Sequence, residues 1–405
     1  MNERTSYLDG LRGFAAFQVI LLHYFTAFIP SLAFPGPYRG WSGFLEVMGG
    51  TPLYYFYDGN SAIYTFFLLS GYVLTFSYLK KIVSPWDLIV ARTLRLGIPV
   101  SCSLVIAWIL FFIFPHQHIL AGQIAGSPWL TTLWNVRPGW DTHLKEIFLG
   151  SMLIGYGDTS FWYFFPSIYK IILPLSTSES LNFPLWTLNI EYYGSLLMIF
   201  LCALYRETKV FYFFGLALVV FYFQPFAISL FFVGHLFALA ERKFPAGKPY
   251  PVAASAAGVL VGWILIGLGI WLSSRGIASV WLVVHFGRVP LRLVEKSIGA
   301  ILIFGTILFF KRAGRFGRPL IALFEGGFFQ FLGKRSFAVY LLHIPVLFTL
   351  SSSIYIYLSQ FLSRPAVLTL TIFWGIFFTY LVSGFFEKYV DGYALAISKA
   401  RSAKP

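Results

Sequence analysis

Apolar stretches close to the ~20 residues a helix needs to cross a hydrocarbon core recur along this chain, separated by short polar and basic clusters. The pattern predicts ten membrane spans, at about 11–30, 61–79, 94–114, 185–205, 210–224, 226–240, 252–272, 296–310, 336–357 and 366–386. The 210–240 pair is short and reads equally as one broken unit. Between 115 and 184 the apolar pieces 146–156 and 161–175 are cut by Gly, Asp and Pro, which predicts re-entrant or interfacial helices over the outer face. No internal repeat, soluble appendage or linker interrupts the series. The expectation is an all-α polytopic bundle, one membrane domain over residues 1–405 with a core at 7–390 and a basic cytosolic tail at 391–405.

Composition agrees, with 58% hydrophobic residues, 20% aromatic, 11% charged and a mean hydropathy of +0.74. Soluble domains run near 45–50% apolar and about 25% charged, so a soluble protein is excluded, as are disorder and low-complexity fibres. The partner so implied is the lipid bilayer. A net charge of +14 would suggest a polyanion, but the 30 basic residues are not gathered on one solvated face. They fall in clusters such as Arg242 with Lys243, Lys311 with Arg312, and Lys334 with Arg335, and most land on one side of the ten-span topology. That is the positive-inside pattern, with both termini cytosolic and no nucleic-acid partner. The first span, flanked by Arg4 and Arg12 and without a small-residue cleavage pattern, reads as a signal anchor. Cys102 and Cys202 lie in apolar stretches and read as buried thiols, not as a disulfide or metal ligands.

Ionisable groups inside spans are expensive and mark candidate function. The first span reads YLDGLRGFAAFQVILLHY, so Arg12 and His23 share one helix face about 16 Å apart. Arg12 can alternatively snorkel to headgroups, and His23 can be a packing histidine. Arg92 and Arg95, three apart in ARTLRLGIP at the expected start of the third span, form either a positive-inside anchor or a fork for phosphate. Glu191, in PLWTLNIEYYGSLL, is expected at the depth of His23, where a carboxylate would orient an imidazole for proton transfer; the alternative is a structural network with Tyr192 or Tyr193. Asp9 reads as an N-cap or as the partner of Arg12. Ser70 with Gly71 in FFLLSGYVL reads as close helix packing or as a hydroxyl near the site. His343, about seven residues from the expected cytosolic end of its span, is placed too shallow to join His23 in one proton-transfer step.

These segments resemble the acyltransferase-3 family of integral-membrane acyltransferases. The family's Arg, ten residues, His pattern stands as Arg12 to His23, and its Arg-x-x-Arg as Arg92 and Arg95. FFLLSGY resembles its Phe-Phe-x-x-Ser-Gly span, WTLNIEYYGSLL from Trp186 its Trp-Ser-Leu-x-x-Glu helix, and GKRSFAVYLLHIP its element ending at His343. Thr187 and Asn189 depart from the pattern, and no SGNH hydrolase-like domain follows residue 390, which points to a stand-alone enzyme. The resemblance implies transfer of an acyl group, usually acetyl, from cytosolic acyl-CoA to a hydroxyl of a sugar, glycolipid or other small acceptor, without a metal. On that reading Arg12, Arg92 and Arg95 hold the donor, and His23, charged by Glu191, is general base or transient acyl carrier. Asp9, Ser70, Trp186, Tyr192 and His343 stand near the site. Rival readings are a proton-coupled transporter using His, Glu and Arg as a relay, and a sensor with decayed catalysis.

Overall fold

The computed structural model describes residues 6–33, 51–80, 83–136, 139–223, 228–244, 255–275, 281–284 and 287–401. Arg4, one of the expected anchor residues, lies outside them. Among the described residues eight helices are long and apolar enough to cross a membrane: α1 (Ser6–Phe28), α2 (Gly59–Lys80), α3 (Pro85–Ile113), α4 (Phe183–Glu207), α5 (Ala256–Ser274), α6 (Leu291–Lys311), α7 (Gly327–Leu358) and α8 (Arg364–Arg401). The fold class is all-α, broken by one antiparallel hairpin, Trp281–Val284 with Gly287–Pro290. Of the ten spans expected, eight have such a helix among the described residues. The segments expected at 210–224 and 226–240 are helices Lys209–Phe223 and Ser229–Lys243 of 15 residues each, about 22 Å long and too short to cross.

Helix starts differ from the hydrophobic pattern where charged residues sit inside a helix. α3 begins at Pro85, with Ser84 as N-cap accepting from Asp87 N at 3.1 Å and Pro at the first helical position. Arg92 and Arg95 therefore lie two to three turns inside α3, not at its start. α7 begins at Gly327, so Lys334 and Arg335 also ride within a helix; Arg335 folds back over the Phe331 ring, 4.2 Å from its centroid. The segment expected as a basic tail is helical through Arg401, continuing α8 across a wider π-turn at Glu387–Asp391.

The chain divides into two compact units. The first holds α1 to Leu21, residues 42–82 with α2, and residues 197–336. Glycines set its closest approaches: a Cβ on Gly71 would overlap the Phe231 carbonyl, and one on Gly234 the Leu68 carbonyl. Gly13 of α1 likewise lies against Gly333 of α7 backbone to backbone. Two fully buried charges also sit in this unit. Lys296 of α6 donates to Asp58, just ahead of α2, and to the Ser273 carbonyl at the end of α5.

The second unit holds α1 from Leu22, α3, the 115–184 segment, the first half of α4, α7 from Phe337, and α8. The 115–184 segment is a run of short helices, among them Gln117–Ala125, Pro128–Thr132 and Trp140–Lys145 with its π-turn continuation Glu146–Ile154. Arg95 with Asp391, and Arg401 with Asp87 at 3.1 Å, hold α8 and its helical extension to α3.

Candidate functional site

His23 is the seventeenth residue after Ser6 on α1, and His343 the sixteenth after Gly327 on α7, so each lies about 25 Å from the start of its helix. The two meet, with His23 Nδ1 2.9 Å from His343 Nε2. Their ring centroids are 5.0 Å apart and the planes within 20° of parallel. Face-to-face rings cannot bring two nitrogens to 2.9 Å, so the contact is an in-plane hydrogen bond rather than a stack. On its far side His343 Nδ1 lies 2.8 Å from the Tyr340 carbonyl and 3.2 Å from that of Val339. This overturns the placement of His343 as too shallow for the site of His23: the expected start of its span at 336 was set by basic residues that the helix carries inside.

An aromatic wall surrounds the pair. Trp129 lies nearly parallel to the His23 ring at 5.7 Å, Phe183 meets it edge-on at 5.5 Å, and Phe348 contacts both. Local bonds place these rings. Ser127 caps the short helix carrying Trp129, accepting from Leu130 N, and donates to the Thr26 carbonyl one turn beyond His23. Asn182, next to Phe183, donates to the Leu341 carbonyl at 2.7 Å. His343 is fully buried, whereas His23 keeps part of its surface exposed.

Glu191 is not the partner of His23. Its carboxylate pairs with Arg92, and beside that pair Thr93 Oγ1 lies 3.0 Å from Tyr192 Oη. The depth follows from the antiparallel course of α4 and α7: Tyr340 Oη bonds Thr187 and the Pro184 carbonyl, and Glu191 lies one turn beyond Thr187 on the side away from His343. Counting helical rise separates Glu191 from the histidines by about 10 Å. Arg95 is held by both carboxylate oxygens of Asp391, its guanidinium 5.4 Å from the Phe337 ring centroid. The like charges that the sequence left to an outside anion are thus answered by the chain's own carboxylates. Arg92 keeps a spare donor, since its Nε is buried without a hydrogen-bond partner among the described residues.

The remaining sequence candidates scatter. Arg12 pairs with Asp9 at 2.9 Å in the first unit, both about one-third exposed. Ser70 is half-buried on α2, next to the Gly71 contact. Trp186 is half-buried where regular helix begins in α4, and Tyr192 packs with Leu96 and Met152. Nothing in the hydrophobic pattern marks Trp129, Phe183 or Asp391, whereas the meeting of His343 with His23 has a local signal. Gly13 to His23 and Gly333 to His343 are equal ten-residue steps along two helices whose glycines touch.

Glu146 braces the segment that carries Phe183. It is 1% exposed and accepts from Tyr156 Oη at 2.7 Å and Leu181 N at 2.8 Å. Burial pushes its carboxyl up to about 7 against the opposing pull of those two bonds. A carboxyl raised on folding adds stability that is full below its ordinary value near 4.5 and is lost as pH rises through about 7. Relative to Glu146→Gln, the thermal-unfolding midpoint of the wild type in detergent is therefore expected to fall by several degrees from pH 5 to pH 8; a difference between the two proteins that stays constant across that range refutes the assignment.

The acyltransferase-3 family model, described as an acyltransferase domain, matches residues 5–384. Among curated proteins the chain is 25% identical to an O-acetyltransferase of Phomopsis amygdali, PaAT-1, over 98% of this chain and 84% of that protein. No solved structure matches.

Proposed function

Because the chain belongs to the acyltransferase-3 family, and is thus an acyltransferase built on apolar membrane helices, we propose that it moves an acyl group, acetyl in the first instance, from acyl-CoA to a hydroxyl of a small or lipid-linked acceptor. The observation that carries this reading is His23, a partly buried residue whose imidazole is set among aromatic rings and tied to a second imidazole. The O-acetyltransferase relative supports the choice of oxygen as the acylated atom. His23 takes the proton of the acceptor hydroxyl as its oxygen attacks the thioester carbonyl. The carbon–sulfur bond breaks with its electron pair on sulfur, and the proton returns there, so an ester and free CoA leave.

Arg92 and Arg95 supply the positive charge for the phosphates of the donor. An unpaired guanidinium at that depth is costly, so Glu191 and Asp391 neutralise the pair and hold it in place between turnovers. Glu191 thus acts through Arg92 and not through His23. Trp129 and Phe183, each half-buried and backed by the fully buried Phe348, offer flat apolar faces to the acceptor. The positive-inside pattern of the basic clusters supports a cytosolic side for both termini, where acyl-CoA is found.

Binding of acetyl-CoA to the purified, detergent-solubilised protein tests the donor assignment. Saturable binding is expected in the wild type, weakened about tenfold or more in Arg92→Gln, in line with the loss of one charge-assisted contact. No saturable binding by folded wild type overturns it.

A further inference from the structure

The hydrogen bonds around the two histidines fix where each proton sits. A carbonyl oxygen only accepts, so His343 Nδ1, 2.8 Å from the Tyr340 carbonyl, carries a hydrogen. His343 is fully buried and has no carboxylate in contact among the described residues, so it stands as the neutral ring, whose Nε2 then holds a lone pair. His23 Nδ1, 2.9 Å away, must be the donor in that contact. In neutral His23 the remaining lone pair is on Nε2, which makes no protein hydrogen bond among the described residues. The chain of bonds runs from backbone carbonyl to His343 to His23, and the proton positions are assigned from that network.

We propose that His343 is a positioning residue for the transfer, holding His23 in the tautomer whose Nε2 is the base; this rests on the reading of His23 as general base. When Nε2 takes the acceptor's proton, His23 becomes an imidazolium whose Nδ1–H still points at the His343 lone pair. The developing charge is therefore met by a neutral acceptor already in place. No carboxylate is needed for this, which accounts for Glu191 being engaged elsewhere. The second nitrogen of a histidine base is set by the bond its first nitrogen makes, and here a backbone-anchored imidazole fills the role that a carboxylate fills in other acid/base pairs. A ring turned over about its Cβ–Cγ bond would put Cδ2, a carbon that cannot make this bond, against His343, so the in-plane bond also fixes ring orientation.

The test compares His343→Leu, His343→Gln and His343→Asn with the wild type and His23→Ala, following CoA release with acetyl-CoA and a saturating hydroxylated acceptor. Glutamine carries an amide oxygen that can accept at the place of Nε2; asparagine's amide falls at the place of Nδ1 and cannot reach His23. His343→Leu is expected to lower kcat about 10²-fold with both KM values within about twofold, the size of a misplaced acid/base partner. His343→Gln should recover most of that loss and His343→Asn little of it, at equal thermal stability. Gln and Asn variants equally active, or a leucine variant with wild-type kcat, overturns the proposal. If the leucine variant does not fold, the Gln-against-Asn comparison decides alone. Full activity in His23→Ala would instead bring down the base assignment itself, whatever the His343 variants do.

Discussion

Replacing His23 with alanine is expected to lower CoA release and acceptor acylation at least 10³-fold while leaving the protein folded. General-base removal typically costs 10²–10⁴-fold, and the upper part of that range applies because the other histidine in contact, His343, is turned away. The His343 ring spends its Nδ1–H on a backbone carbonyl and its lone pair on His23, so it has no face left to offer an acceptor. Folding should survive, since His23 is partly exposed and its ring contacts are with Trp129 and Phe183, which pack on each other and on Phe348, and with His343, which keeps its bond to the Tyr340 carbonyl. Donor binding should be unchanged in the same variant, because Arg92 and Arg95 are held by carboxylates and not by His23. A thermal-unfolding midpoint within a few degrees of wild type, measured beside the rates, separates lost chemistry from lost structure.

The second large effect is expected in the first unit, at the fully buried pair of Lys296 and Asp58. Asp58 accepts from Lys296, from Ser61 Oγ at 2.5 Å and from Asn60 N at 3.1 Å; Lys296 also reaches the Ser273 carbonyl. Lys296→Met leaves a buried carboxylate with only neutral donors and should cost about 3–5 kcal/mol in unfolding free energy. Asp58→Leu leaves a buried ammonium and should cost a similar amount. The double variant removes both charges and should recover most of the loss, since a buried pair is often matched by apolar residues of like volume. Thermal or denaturant unfolding of the four proteins in detergent gives the coupling directly. Single variants as stable as wild type would show that the two charges do not depend on each other.

The existence of most spans was legible because a hydrophobic run of the right length has few other uses. Their ends were not, because end positions were read from charge, and this fold buries charge. α3 begins at Pro85 behind the cap Ser84, a Ser-Pro start visible in the sequence, but Arg92 and Arg95 drew the boundary inward to about 94. The same error at Lys334 and Arg335 put His343 at the wrong depth. Lys296 stands at the edge of the apolar run expected from 296, although it lies five residues inside α6 with its partner Asp58 just ahead of α2, 238 residues earlier in the chain.

Site chemistry was legible as residue types and not as pairs. His23, Arg92, Arg95 and Glu191 stood out because ionisable groups within apolar runs are rare. Which of them touch depends on helix neighbours that periodicity does not encode, and so Glu191 was assigned to the nearer-looking histidine and not to Arg92. The equal ten-residue steps from Gly13 and Gly333 were the one local clue to the histidine pair, and it has meaning only once the two helices are known to lie side by side.

Everything in the proposed reaction turns on the imidazole of His23 promoting attack of an acceptor hydroxyl on an acyl-CoA thioester. The most direct measurement is transfer of labelled acetyl from acetyl-CoA to a panel of hydroxylated acceptors by the purified protein, with wild type and His23→Ala run side by side and the product analysed for an ester. An acetyl ester and stoichiometric free CoA are expected from the wild type, and neither above background from His23→Ala. Ester formation at an undiminished rate in His23→Ala would contradict that role.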